Sequence, residues 1–432
     1  MSELNIAILG YGTVGTGVAK CLLENQDIMH ARTGVKLVLK YIADIDTERD
    51  RGLELPDGVL VNDANAVIND PDVDVVVELI GGKGIAKEFT LAALKQGKAV
   101  VTANKALLAY HGKEIFDCAR ENNTEIFFEA SVAGGIPILK ALKEGLAANH
   151  INSIYGILNG TCNYILTRME NEQINFEPVL KEAQELGYAE AEPTLDVAGD
   201  DAAHKTVILA SLAFGKWFDM SLHIEGIEEL SLLDISNADK LGYRIKLLGI
   251  IKREGKDIQM RVHPALIPKD TLLAQVNDVF NAVLINGDFV GDTMYYGRGA
   301  GMEATASAVT ADIIDACLNR KHDSINRVAP FTQYDYYGEL VDISDIKSRY
   351  YIRLELIDKA GCLAAIASEF AAREISISTV NQDESDSSTV PVVLTTALAI
   401  EKDMKAALEA ISKLDFVKSE PVMIRIEDLH EE

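Results

Sequence analysis

A chain of 432 residues, 48% hydrophobic and 25% charged, is long enough for two or three domains, each with its own core. Its 67 acidic and 41 basic residues give a net charge of −26, a field that opposes nucleic-acid phosphates and anionic lipid, so no nucleic acid and no membrane is expected as a partner. The first residues carry no basic segment and no apolar run approaches the roughly 20 residues that span a bilayer. Five cysteines are scattered without CxxC spacing, which predicts free thiols in a cytoplasmic protein, with neither disulfides nor a zinc site.

In chain order, residues 5–9 are an apolar strand leading directly into Gly10, Gly12 and Gly15, and residues 16–24 continue as a helix. GxGxxG is a weak signal alone but a strong one between a strand and a helix. Gly10 permits the tight turn, Gly12 lets the backbone approach a pyrophosphate, and Gly15 lets the helix lie close to the sheet. The helix start at Thr13 and Val14 then receives the phosphate charge. A second strand, 35–43, ends in Asp44, further along than the ~20 residues usual for the acid that bonds the adenosine ribose. A loop over 27–34 explains the excess. An acid here favours NAD, while the neighbouring Arg49 and Arg51 leave NADP open.

Strands at 73–80, 99–102 and 125–130, with a helix at 85–96, complete an alternation that gives an α/β fold with a doubly wound parallel sheet of the Rossmann type. Lys105 follows the carboxyl end of the 99–102 strand, where such sheets bind ligands; a helix-start surface lysine is the alternative. Residues 131–137 hold two glycines and a proline. They form either a plain strand-to-helix turn or a loop whose carbonyls join Glu129 around a monovalent cation.

Beyond residue 138 the pattern becomes mixed. A strand at 154–158 turns into a helix through 169, and antiparallel strands are predicted at 256–264, 282–287 and 288–296, an α+β substrate domain. Between them lies the stretch 187–205, which carries five carboxylates and one lysine around a helix start. Pro193 and Gly199 break any earlier helix, and Ala203, Val207, Ala210 and Phe214 recur at helical spacing, with Asp200 expected as the N-cap. Asp201 and Lys205 share one helix face, and Glu190 and Asp196 arrive on the preceding loop. Such a pair is usually a surface pair; here Lys205 sits in an apolar helix, as a half-buried, oriented proton donor would. A glycine-rich loop at 297–301 precedes a helix at 305–318 and can return the chain to the first domain, where Gly301 meets the dinucleotide. After a polar linker, 335–348, residues 350–432 run strand, helix, strand, strand, helix, strand, a ferredoxin-like module with a short polar hairpin loop at 385–388.

Taken together, these stretches resemble the homoserine dehydrogenases that carry a C-terminal ACT regulatory domain. The resemblance rests on the glycine-rich turn 10–18, on Val101-Thr102-Ala103-Asn104-Lys105, on residues 129–137 and 156–166, on the specific GY-x-E-A-[DE]-P-x-x-D-[VI]-x-G-x-D-A-x-x-K pattern at 187–205, and on the GxGAG loop at 297–301. Asp358-Lys359-Ala360-Gly361-Cys362-Leu363-Ala364 resembles the start of ACT modules, with Ala360 where proline is usual. The implied domains are a dinucleotide-binding domain at 1–135 completed by 297–328, a substrate and oligomerisation domain at 136–296, and an ACT domain at 349–432.

What the resemblance implies is the reversible NAD(P)-dependent interconversion of L-homoserine and L-aspartate 4-semialdehyde. Lys205 would give and take the proton, Lys105 would lie at the nicotinamide and substrate, and Glu190, Asp196 and Asp201 would hold the substrate amine and the lysine. A sodium or potassium ion would sit at Glu129 with the carbonyls of Val132, Gly134 and Ile136. Ala43 stands where NADP-preferring members often carry arginine, so NAD is the expected preference. ACT modules bind effectors where two of them pair, which implies a homodimer or homotetramer. L-threonine would then be held at Asp358, Gly361, Leu363 and Asn381. Two rivals stand beside this reading: an amino-acid dehydrogenase acting on an imine, which does not need the Glu190–Lys205 constellation, and a non-catalytic amino-acid sensor, which does not need GxGxxG and both lysines.

Overall fold

The structure, a computed structural model, describes residues 3–332, 338–382 and 388–429. The chain forms two compact units, one of Met1–Gly160, Asp201–Leu222 and Phe280–Tyr336, the other of Thr161–Asp200, His223–Val279 and Tyr337–Glu432. None of the five cysteines forms a disulfide.

In the first unit six parallel strands lie in the order Leu60–Val61, Lys36–Ala43, Glu3–Leu9, Val75–Glu78, Ala99–Thr102, Ile126–Phe127. That is the 3-2-1-4-5-6 order of a dinucleotide-binding sheet. Ile6 to Leu9, Val75 to Val77 and Val100 to Val101 are buried without alternation, as strands covered on both faces must be. The late helix Met302–Lys321 supplies Val309, Ile313, Ala316 and Cys317 to the same core as Ile6, Val18 and Leu22. It lies so close to the first helix, Thr13–Glu24, that a Cβ on Gly17 would stand 2.7 Å from Met302. Two sequence expectations change here. Residues 27–34 are no loop: a second helix, Gln26–Thr33, fills them and ends on left-handed Gly34. The strand expected over 125–130 is only Ile126–Phe127, and Glu129 sits on a 3-10 turn, Glu129–Ser131. The unit is completed by antiparallel strands Ile151–Ile157, Phe280–Gly287 and Gly291–Arg298 and by most of the Asp200–Phe214 helix.

In the second unit the long hairpin Tyr243–Glu254/Asp257–Pro268 continues into the C-terminal module. Its first strand went unnoticed in the sequence. The module's strands follow in the order Val422–Ile426, Lys347–Ile357, Thr389–Thr396, Ile377–Gln382, all antiparallel to their neighbours. With helices Cys362–Ala371 and Glu401–Ser412 this is the 4-1-3-2 ferredoxin-like arrangement, closed over a core that includes Tyr350, Ile352, Phe370 and Met404. The module is not tethered loosely. Val422–Ile426 pairs in parallel with Asp257–Pro268 (Ala265 with Arg425, Leu266 with Ile426). Residues 335–337 of the expected linker and 385–387 of the expected hairpin loop lie outside the described residues.

Ion pairs seal that joint. Arg425, fully buried, donates to Glu225 at 2.7 and 2.9 Å and to Glu401 at 2.9 Å, while Arg353 and Tyr351 donate to Asp234 at 2.7 and 3.0 Å. Asp234 belongs to the capping box of the Leu232–Lys240 helix, in which the Ser231 and Asp234 side chains each bond the other residue's backbone N–H.

Candidate active site

The Asp200–Phe214 helix is buried at every position after its first, with its polar residues gathered mainly in the first two turns, the condition of a helix enclosed by its own domain. Asp200 is the helix's first residue and not the cap before it. One turn in, Asp201 and Lys205 meet: the lysine Nζ donates to Asp201 Oδ2 at 2.7 Å and to the Leu158 carbonyl at 2.6 Å. Lys205 is buried outright, 8% exposed, where half-burial was expected. Lys105 opens the Lys105–Glu121 helix, whose start is capped by Asn104, and reaches Asp201 Oδ1 at 2.9 Å. Asn159 donates to Asp201 Oδ2 at 2.8 Å. One carboxylate thus gathers two ammonium groups and an amide. Burial alone would raise the Asp201 carboxyl, but Lys205 and Lys105 outweigh it and hold the group well below the usual carboxylate range. Asn159 and the Leu158 carbonyl were not singled out from the sequence. Both lie between the Ile151–Ile157 strand and the Gly160–Glu172 helix, inside a motif quoted without roles.

The nucleotide turn has the geometry its glycines require. Gly10 has φ +101°, and a Cβ there would meet the Leu79 carbonyl at 2.7 Å; one on Gly15 would meet the Gly10 carbonyl at 2.1 Å. Nothing lies within 4 Å of a Cβ on Gly12, so an open face stands before the helix start at Thr13 and Val14. The residues fit a dinucleotide's pyrophosphate. Gly301, φ +113°, caps the late helix in the same unit. Asp44 accepts the Tyr11 N–H at 2.5 Å and the Asp46 N–H at 2.8 Å. Arg51 lies 3.7 Å from Asp44, stacks on the Tyr11 ring, and donates to the carbonyls of Tyr11, Arg49 and Asp46 at 2.5, 2.8 and 2.8 Å.

Glu129 is buried, and its two oxygens accept the N–H groups of Leu139 and Lys140 at 2.8 and 2.7 Å, opening the short Ile138–Lys140 helix. Burial raises its carboxyl to about 7 against those bonds. Among the described residues it makes no ion pair within 4 Å. Asp312, also buried, accepts the Glu129 N–H at 2.8 Å and is raised well above its ordinary value by burial and then by Glu129. Ala133 and Gly134 take consecutive left-handed conformations, and the Ile136 carbonyl already accepts the Ile138 N–H at 2.8 Å. A buried carboxylate without a cationic partner, beside a turn rich in carbonyls, suits a monovalent cation.

Glu190 and Asp196 belong to the second unit, Glu190 exposed and Asp196 on a single helical turn, Thr194–Val197, where a loop was expected. In the C-terminal module Gly361, φ +96°, caps Cys362–Ala371, Leu363 is 40% exposed, and Asn381 lies on the outermost strand, whose Gln382 reaches Asp358 at 3.5 Å.

The chain is similar to known proteins along its whole length. A family model described as homoserine dehydrogenase matches residues 137–314, the model for that family's NAD-binding domain matches 10–129, and an ACT-domain model matches 350–416. A homoserine dehydrogenase of Neisseria gonorrhoeae is 47% identical over the whole of both chains, and one of Pseudomonas aeruginosa is 45% identical, also over the whole of both. The crystal structure of a homoserine dehydrogenase from Thiobacillus denitrificans superposes with a TM-score of 0.94 at 43% identity, covering 100% of this chain and 99% of that one. A hyperthermophilic archaeal homoserine dehydrogenase, solved with NADPH, matches 73% of this chain and 98% of its own with a TM-score of 0.62 at 28% identity.

Proposed function

The chain belongs to the homoserine dehydrogenase family, NAD(P)-dependent oxidoreductases acting on a small-molecule substrate, and from that premise we propose how its residues divide the work in the cytoplasm. The observation that carries the reading is the meeting of Lys205 and Lys105 on the buried Asp201. The bound nicotinamide supplies or receives the hydride. In aldehyde reduction the Lys205 ammonium gives its proton to the oxygen that becomes the homoserine hydroxyl; in oxidation the neutral amine takes it back. Lys105 lies on the same carboxylate and stabilises the negative charge that develops on that oxygen. Asp201 and the Leu158 carbonyl hold the Lys205 ammonium in one orientation. From the family pattern alone, Glu190 and Asp196 take the substrate ammonium.

Several finer points belong to the same proposal. The turn at Gly10, Gly12, Thr13, Val14 and Gly15, with Gly301, takes the dinucleotide. NAD is preferred to NADP, because the Asp44 carboxylate repels a 2′-phosphate and the donors of Arg51 already serve three backbone carbonyls. Glu129 with the carbonyls of Val132, Gly134 and Ile136 holds a sodium or potassium ion. The C-terminal module pairs with a second copy along the outermost strand, Ile377–Gln382, and the loop from Asp358 through Gly361 to Leu363, with Asn381, takes L-threonine as inhibitor.

Initial rates of homoserine oxidation with each of NAD and NADP test the reading directly. Turnover with a higher kcat/KM for NAD is expected, and a higher value for NADP rejects the cofactor preference. Replacing Lys205 with methionine should lower kcat by on the order of 10²-fold or more while cofactor affinity holds. A near-normal kcat rejects the assignment of the proton to Lys205.

A further inference from the structure

We propose that Asn281 is a positioning residue for Lys205, acting through the Leu158 carbonyl that both side chains bond and held in place by the backbone of Gly299. The proposal rests on the reading of Lys205 as the proton carrier. Asn281 is the second residue of the Phe280–Gly287 strand, far from Lys205 in sequence and 1% exposed. Its Nδ2 donates to Leu158 O at 2.9 Å, and Lys205 Nζ donates to the same oxygen at 2.6 Å. Leu158 lies just past the end of a strand, where no ladder bond determines its peptide orientation; two donors on one oxygen determine it instead.

The wall behind Asn281 is equally specific. A Cβ on Gly299 would stand 2.1 Å from the Asn281 Cγ and Nδ2 and 2.4 Å from Oδ1, so only glycine leaves room for the amide in its present place. The 131–137 loop also lies close against Gly299. There a Cβ on Gly134 would lie 2.4 Å from the Gly299 carbonyl, and the Gly135 N–H donates to Arg298 O at 3.1 Å. The arrangement also leaves Asn281 Oδ1 buried with no hydrogen-bond partner among the described residues. A buried acceptor without a donor is destabilising, and an apolar side chain of the same shape would avoid it. An amide at this position supplies the second donor to the Leu158 carbonyl, which an apolar side chain of the same shape does not.

The physical consequence has a definite sign. While Asn281 shares the carbonyl, its N–H draws on the oxygen's electron density and limits how strongly the oxygen favours the ammonium form of Lys205. Without that N–H, the full oxygen favours the charged lysine, and the neutral amine needed to oxidise homoserine appears only at higher pH.

Two variants test this in the full-length enzyme. Asn281→Leu keeps the volume and removes the donor. Gly299→Ala keeps Asn281 and displaces its amide. In both, kcat for homoserine oxidation should fall about tenfold at neutral pH, the scale of one hydrogen bond. KM for homoserine and for NAD should stay within about twofold, and the ascending limb of the kcat–pH profile, where Lys205 loses its proton, should move to higher pH. The double variant should be no slower than Asn281→Leu alone. A lower kcat or melting temperature with the wild-type pH limb would mean a packing role only and overturn the proposal, as would additive losses in the double variant. A limb abolished by Lys205→Met but unmoved in Asn281→Leu rejects Asn281 alone. A limb that survives Lys205→Met removes the lysine's role and this proposal with it.

Discussion

Asp201 holds three donors on two oxygens, Lys105 on one and Lys205 with Asn159 on the other. The carboxylate is what makes two ammonium groups affordable in so small a space. Breaking a buried ion pair by removing one partner destabilises by about 3–5 kcal/mol, because the remaining charge stays buried and unpaired. Asp201→Asn keeps the shape and removes the anion. Without it the ammonium forms of both lysines lose their counter-charge, so Lys205 should deprotonate at lower pH. The expected outcome is that the ascending limb of the pH profile for homoserine oxidation moves to lower pH, opposite to the shift expected for Asn281→Leu, with a lower melting temperature. An unmoved limb in initial-rate pH profiles would separate Asp201 from the lysine's titration.

At the scale of elements, the joint between the hairpin and the C-terminal module contains a pH-sensitive group. His263, fully buried on the Asp257–Pro268 strand, takes the Arg261 Nε–H on Nε2 at 3.1 Å, while its Nδ1 lies 2.9 Å from the Pro264 carbonyl. Since arginine can only donate, Nε2 accepts and Nδ1 carries the proton, so the native ring is neutral. Burial, then Arg425 and Arg261, push its pKa from 6.5 down to about 3. Above pH 6.5 the ring is neutral folded or unfolded, and it has no effect. Below 6.5 the unfolded chain binds a proton that the native ring refuses, so stability falls by about 1.4 kcal/mol per pH unit until about 3. Between pH 6.5 and a point well above 4.5, the ordinary value of a glutamate, the depressed acids Glu225 and Glu427 are ionised in both states. Thermal melts over that window should therefore be steeper in the parent chain than in His263→Gln. Equal slopes would show that the ring already binds its proton in the native state.

For the whole molecule, continuity of the second unit's sheet changes what a truncation can report. Ending the chain after Ser348 removes Val422–Ile426 from the edge of Asp257–Pro268 and takes Arg353 and Tyr351 from Asp234 and Arg425 from Glu225. It also leaves Arg261 without Glu427. Buried charges without partners and an open apolar sheet edge should lower the melting temperature and promote aggregation, so a shortened chain would lose more than an effector site. Asn381→Ala is the cleaner probe, because that residue lies on the outermost strand and away from the joint. Inhibition by L-threonine in the parent and an active, insensitive Asn381→Ala enzyme are the expected pair of results. Inhibition of equal strength in both would place the effector elsewhere.

Local rules determined much of this protein from its sequence. The turn at Gly10, Gly12 and Gly15 between a strand and a helix, the buried parallel strands, and the i,i+4 pairing of Asp201 with Lys205 each depend on residues close in the chain. The same holds for the order of elements in the ferredoxin-like module and, through dense motifs, for the family resemblance. Where local signals were ambiguous the reading slipped, as in the Gln26–Thr33 helix taken for a loop and the unnoticed Tyr243–Glu254 strand. Only the tertiary structure decided what depends on residues distant in sequence. It brought Lys105 to Asp201, set Asn281 beside the Leu158 carbonyl, put Asp312 beneath Glu129, and welded the C-terminal sheet to the hairpin through Arg425. A side chain's partner across a fold is chosen by strand order, close glycine contacts and burial of charge, and none of these leaves a periodic mark in the sequence.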